Sequence, residues 1–124
     1  MKMNTWLWAV GVMGLMGCGT TVAGVTGKQA DAVNAAANET CDSYARCNEI
    51  GAGKKYATRA ECDADNQSFW NNRWPAADCD GKINGTSLET CTNAIKGTAC
   101  DSFIDQINTA YNKCAKSDVC KGKE

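Results

Sequence analysis

From Gln29 onward, apolar positions recur at three- and four-residue steps. Ala30, Val33, Ala37, Cys41 and Tyr44 form such a series. In an Ala-rich segment this predicts one face of a helix that ends near Cys47. Residues 51–58, GAGKKYAT, break the pattern. Thr58-Arg59-Ala60-Glu61 then has the spacing of a capping box, in which a hydroxyl and a carboxylate satisfy backbone N–H groups at a helix start. A second helix is expected there, with Cys62, Asn66, Phe69 and Arg73 on one face, Trp70 and Trp74 beside them, and Pro75 as its stop. On this register Phe69 faces the core, and Trp70 and Trp74 cannot both do so fully. Residues 75–86 are expected to form a loop. Thr86 and Glu89 make a second capping box, opening a third helix lined by Leu88, Cys91 and Ile95 and ended by Gly97. Asp101 or Ser102 caps a fourth, whose stripe is Phe103, Ile107, Ala110, Tyr111 and Cys114. No stretch alternates as a strand. The fold class expected is all-α, a small bundle of three or four helices.

Such a bundle has little to bury. Between Cys41 and Cys120 the sequence holds fourteen large apolar residues, and small domains already bury a low fraction of their surface. Covalent staples are the usual remedy. The 124-residue chain has nine cysteines, an odd count that calls for an explanation. Setting Cys18 aside leaves Cys41, Cys47, Cys62, Cys79, Cys91, Cys100, Cys114 and Cys120, enough for four disulfides. None of the gaps is the two-residue spacing of a zinc ribbon or a thioredoxin-type pair. Connectivity is not readable from spacing, but the helix order favours Cys47–Cys62 first and Cys91–Cys100 next.

The N-terminus supplies the explanation for the odd cysteine. Lys2 precedes an uncharged run from Trp6 to Gly17, too short to span a bilayer, which needs ~20 residues, but suited to a signal peptide. The run ends in Leu15-Met16-Gly17-Cys18. This resembles the lipobox of bacterial lipoproteins, with Met16 where that family more often has a small or hydroxylated residue. The resemblance implies cleavage before Cys18 and acylation of that cysteine, making membrane lipid a partner. Gly19 in place of Asp implies the outer membrane of a Gram-negative envelope. The expected organisation is a signal peptide over 1–17, a lipidated cysteine and flexible tether over 18–28, and a cysteine-rich helical domain over 29–124. Several acyl chains on one cysteine anchor firmly, whereas one holds marginally.

Composition removes several activities. There is no His, hence no His-based catalysis, metal ligation or pH switching. A formal charge of -1 argues against nonspecific nucleic-acid binding. No serine has a supporting base, so an enzyme is not expected, and neither a cofactor nor a metal is called for. Three features invite a binding role. Lys54, Lys55 and Arg59 gather near two glycines and Tyr56, as an anion site would, or as a solvated turn would. Asp78-Cys79-Asp80-Gly81 matches the middle of a calcium loop, but Ala76 and Ser87 stand at the first and twelfth positions, where strong ligands belong. Phe69, Trp70 and Trp74 could form an aromatic patch for a partner or ligand, or could cover the core.

Residues 41–62, CDSYARCNEIGAGKKYATRAEC, resemble a family of small cysteine-rich lipoproteins common in myxobacteria, through Cys41-Asp42, Arg46-Cys47-Asn48, the Gly51–Tyr56 loop and Ala57-Thr58-Arg59. The later cysteines, Ile83, Leu88 and Ser117-Asp118-Val119-Cys120 fit as well. The resemblance implies no defined activity; some members carry an association with natural-product biosynthesis. The expected function is therefore an envelope-anchored binding or structural module with a protein or small-molecule partner. The alternative is an accessory lipoprotein that binds a small molecule, through the tryptophans, in natural-product biosynthesis or export.

Overall fold

The computed structural model describes residues 27–122. Within them the chain forms six α-helices and one 3₁₀ turn: α1 (Gln29–Arg46), α2 (Arg59–Arg73), α3 (Ala76–Cys79), α4 (Gly85–Lys96), α5 (Phe103–Ala110), the 3₁₀ turn (Tyr111–Cys114) and α6 (Lys116–Val119). The described residues hold no strand, only an isolated bridge between Ile50 and Tyr56. The all-α expectation holds, with α3 and α6 as two short helices that the sequence pattern did not predict. Four residues give too little periodicity to read.

The longest helix organises the rest. α1 packs chiefly against α2 and α4. Its buried residues are Gln29, Ala32, Val33, Ala36, Ala37, Thr40, Cys41, Ser43 and Tyr44. Most of them, the alanines above all, are small and let the neighbouring helices approach closely. Ala30, placed in the predicted stripe, is exposed. At the end of α1, Ser43 donates to the Ile95 carbonyl at 3.1 Å. Arg46 donates from Nη2 to the Lys96 carbonyl at 3.2 Å and from Nη1 to the Thr98 carbonyl at 3.0 Å. Carbonyls in the last turn of a helix and just beyond it have no partner within the helix. Two side chains of α1 therefore satisfy the end of α4.

The starts of the helices differ in how well sequence foretold them. At α2, Thr58 accepts from the Glu61 amide at 3.2 Å while Glu61 accepts from the Ala57 amide at 3.1 Å, close to the reciprocal arrangement expected. At α4 the predicted Thr86–Glu89 box does not form. The helix starts earlier, and Asn84 accepts from the Ser87 amide at 2.9 Å. Asn84 is buried and its backbone amide donates to the Val119 carbonyl at 2.7 Å, so tertiary contacts select it over Thr86. At α5, Ser102 holds the cap position with φ of 54° and makes no side-chain cap bond.

Four disulfides join the described elements: Cys41–Cys62, Cys47–Cys100, Cys79–Cys120 and Cys91–Cys114. The expected Cys47–Cys62 and Cys91–Cys100 bridges do not form. Cys41 and Cys47 lie six residues apart, and at 100° per residue they point in directions that differ by roughly 240°. Cys41 faces the buried α1–α2 interface and meets Cys62 there. Cys47, at the end of α1, points toward the loop after α4 and meets Cys100. Cys91 faces the core from α4, where the 3₁₀ turn brings Cys114. Both corrections have one cause: helix face decides pairing, and sequence proximity does not.

Candidate functional site

The aromatic segment of α2 ends in the core. Trp70 and Trp74 are both fully buried, whereas Phe69 is 37% exposed. The expectation that Phe69 faces inward and that the tryptophans cannot both be buried is thus reversed. The buried series on α2 and its cap is Cys62, Asn66, Trp70, Trp74, a repeat of four in place of the 62, 66, 69, 73 series. The two indoles pack against each other with centroids 4.6 Å apart and planes tilted by 38°. Trp70 Nε1 donates to Thr40 Oγ1 at 3.3 Å, and Trp74 Nε1 donates to the Cys114 carbonyl at 2.9 Å. Burying an indole with its N–H satisfied is the stable arrangement for tryptophan. No face of either ring is left for a ligand.

Phe69 covers this core from outside. Its ring lies 4.9 Å from Trp70 and 5.1 Å from Tyr111. Arg73 lies over it at 5.9 Å and donates to the carbonyls of Tyr111 and Cys114 at 2.8 and 3.1 Å. The end of α2 is thereby fixed to the 3₁₀ turn by two side chains that share one acceptor.

The loop with Lys54, Lys55 and Arg59 does not gather its cations. Gly51 and Gly53 take φ of 147° and 77°, and the Gly51 amide donates to the Tyr56 carbonyl at 2.8 Å. This closes the loop on itself. Arg59 pairs with Asp42 at 3.0 Å and Asp63 at 2.9 Å, so its charge is neutralised locally. Lys54 and Lys55 are exposed, and Lys55 Nζ lies 5.8 Å from the Tyr56 ring centre. Tyr56 itself is buried and donates to Asp65. Burial, then that bond to Asp65, holds its phenol well above the ordinary range.

The calcium-like turn is occupied by structural bonds. Asp80 Oδ1 accepts from the Gln29 amide at 3.0 Å, and Asp78 pairs with Lys116 at 3.0 Å. Among the described residues no group of three or more His, Cys, Asp or Glu side chains could hold a metal ion. An open depression of about 210 Å³ is lined by Ser87, Thr90, Asn112, Lys113 and Asp118. Sequence reasoning missed these five, which lie on three separate elements and share no motif.

The same turn holds both ends of the domain. The Gly81 amide donates to the Gly27 carbonyl at 2.9 Å, and the Gly122 amide donates to the Lys82 carbonyl at 2.8 Å. Asn84 Nδ2 adds a bond to the Gly122 carbonyl at 2.8 Å, and Cys79–Cys120 crosses alongside. Chain entry and exit therefore lie at one pole, where Lys28, Lys82 and Lys121 are exposed. Cys18, the expected lipidation residue, lies outside the described residues.

Residues 41–122, which carry all four bridges, match a family of unknown function (DUF6184). The chain belongs to that family. The match begins at Cys41 and so takes in the last turns of α1, the loop at 51–58, both ends of every disulfide and the pole at Gly81 to Gly122. The DUF6184 segment is in this sense the disulfide framework itself. No curated protein and no solved structure matches the chain.

Proposed function

We propose that this DUF6184 member is a lipoprotein of the bacterial envelope: a disulfide-stapled helical domain, held by acyl chains on Cys18, that serves as a binding or structural module. One observation carries the proposal. Of the nine cysteines, eight pair with one another. That leaves Cys18, outside the described residues, as the one cysteine over in the count. Disulfides persist outside the cytoplasm, and Cys18 stands at the end of an uncharged run that resembles a lipobox. The resemblance to cysteine-rich lipoproteins of myxobacteria points the same way. With Gly27 and Lys28 fixed to the domain, a tether over 19–26 would span under ~20 Å, which would hold the domain close to the lipid surface. Its entry at Gly27 would turn the pole with Lys28, Lys82 and Lys121 toward the headgroups. Outer-membrane sorting follows from Gly19.

Expression of the full chain and its Cys18→Ala variant in a Gram-negative host tests the proposal. The parent is expected in the outer-membrane fraction, resistant to salt and released by detergent. The variant is expected in soluble fractions. A parent recovered free of membrane would overturn the proposal.

A further inference from the structure

The four bridges are not equivalent. Cys41, Cys62, Cys79, Cys91 and Cys114 are fully buried, and Cys120 is half-buried beside Cys79. Cys47 is half-buried and Cys100 is exposed, so Cys47–Cys100 is the described bridge that offers a sulfur to solvent with no buried partner. A second feature sets it apart. Arg46 Nη1 lies 3.7 Å from the Sγ of Cys47 and 3.7 Å from the Sγ of Cys100. The same guanidinium is held in place by the Thr98 and Lys96 carbonyls and by Ser43 Oγ at 3.2 Å. A fixed cation beside a sulfur favours the thiolate over the thiol. Both the approaching anionic nucleophile and the departing thiolate gain from it, and a leaving thiol of lower pKa departs faster.

We propose that Cys47–Cys100 is a thiol–disulfide exchange site, with an external dithiol as its co-reactant. A thiolate of the dithiol attacks the exposed Sγ of Cys100. A new S–S bond forms there, the Cys47–Cys100 bond breaks, and its electron pair leaves on Cys47 as a thiolate beside Arg46. The second thiol of the dithiol loses its proton to solvent and attacks the mixed disulfide, releasing Cys100 as a thiolate. Both protein thiolates then take up protons. The protein gains two electrons and two protons, and the dithiol becomes a cyclic or paired disulfide. The helices stay in place, because the buried bridges Cys41–Cys62 and Cys91–Cys114 still join α1 to α2 and α4 to the 3₁₀ turn. The loop after Thr98 loses its covalent tie to the end of α1, while the Arg46 bond to the Thr98 carbonyl remains. This chemistry does not depend on the anchor.

The test is partial reduction of the folded chain with dithiothreitol, quenched in acid, alkylated and mapped by peptide mass. The first reduced species is expected to carry label on Cys47 and Cys100 alone, formed at least ten-fold faster than any other, with helical circular dichroism retained. Arg46→Gln is expected to slow this step several-fold. The double variant Cys47→Ala/Cys100→Ala is expected to stay helical and lose the fast step. Label appearing first on another pair, all four bridges opening together, or an Arg46→Gln rate equal to or above that of the parent would each overturn the proposal.

Discussion

The indole N–H of Trp74 donates to the carbonyl of Cys114 at 2.9 Å across forty residues of chain. Arg73 donates to the same oxygen. The bond joins the cap of α2 to the 3₁₀ turn at the very residue through which Cys91–Cys114 ties that turn to α4. Three helical elements thus converge on Cys114. Truncating Trp74 removes a fully buried ring together with the bond. Trp74→Ala is expected to lower unfolding free energy by about 3–5 kcal/mol, measured by guanidinium denaturation of the oxidised protein. Trp74→Phe is expected to cost less, since a ring still fills most of the site; in both variants Arg73 still satisfies the carbonyl. Near-parental stability in Trp74→Ala would return this residue to the surface role that the sequence allowed.

Gln29 is buried at the start of α1, and its Nε2 donates to the Trp74 carbonyl and to Asn71 Oδ1, both at 2.7 Å. Removing a donor that satisfies a buried carbonyl costs about 1–3 kcal/mol. Gln29→Ala is expected to show a loss of that size in the same denaturation assay, with an unchanged slope.

Ser102 sits at φ of 54° and makes no side-chain cap bond. A side chain in this region meets steric resistance that glycine does not. Ser102→Gly is therefore expected to leave stability unchanged or raise it by up to about 1 kcal/mol. A clear loss would mean that the hydroxyl has a partner that this geometry lacks.

Tyr44, Tyr56 and Tyr111 all have phenols raised above the ordinary value, in each case chiefly by burial; at Tyr56 the bond to Asp65 adds to it. The unfolded value is about 10. A raised folded value means the folded state holds these protons more tightly. Their contribution to stability is fully present below about pH 10 and is lost as pH climbs from there toward the folded values. Native protein at pH 10 should show little tyrosinate absorbance, where free tyrosine would be half ionised. The absorbance is expected to rise together with loss of helical signal. Ionisation at pH 10 with the helices intact would contradict the burial of these rings.

The helical class and the start of α2 were legible because local chemistry decides them. Thr58 and Glu61 need only each other and the adjacent backbone. Leu88, Cys91 and Ile95 were legible as a core face, since a single stripe fits that helix. Cys62 to Trp74 was not, because repeats of three and of four both begin at Cys62 and Asn66. Only the packing against Thr40 and Cys114 separates them. The disulfide pairing failed for the same reason: Cys41 and Cys47 are near in sequence and far apart in direction. Asn84 was missed as a cap because the tail that holds it returns from residue 119. The candidate sites fared similarly. Arg59 looked like a member of a cation cluster until Asp42 and Asp63 came to lie beside it.

The most direct test of the central claim is the intact mass of the protein extracted in detergent from the envelope of a Gram-negative host, with thiol labelling before and after reduction. The expected product is a chain beginning at Cys18 that carries acyl chains, takes up no label before reduction, and takes up eight labels after it. A mass that retains residues 1–17, or label on any cysteine before reduction, would contradict it.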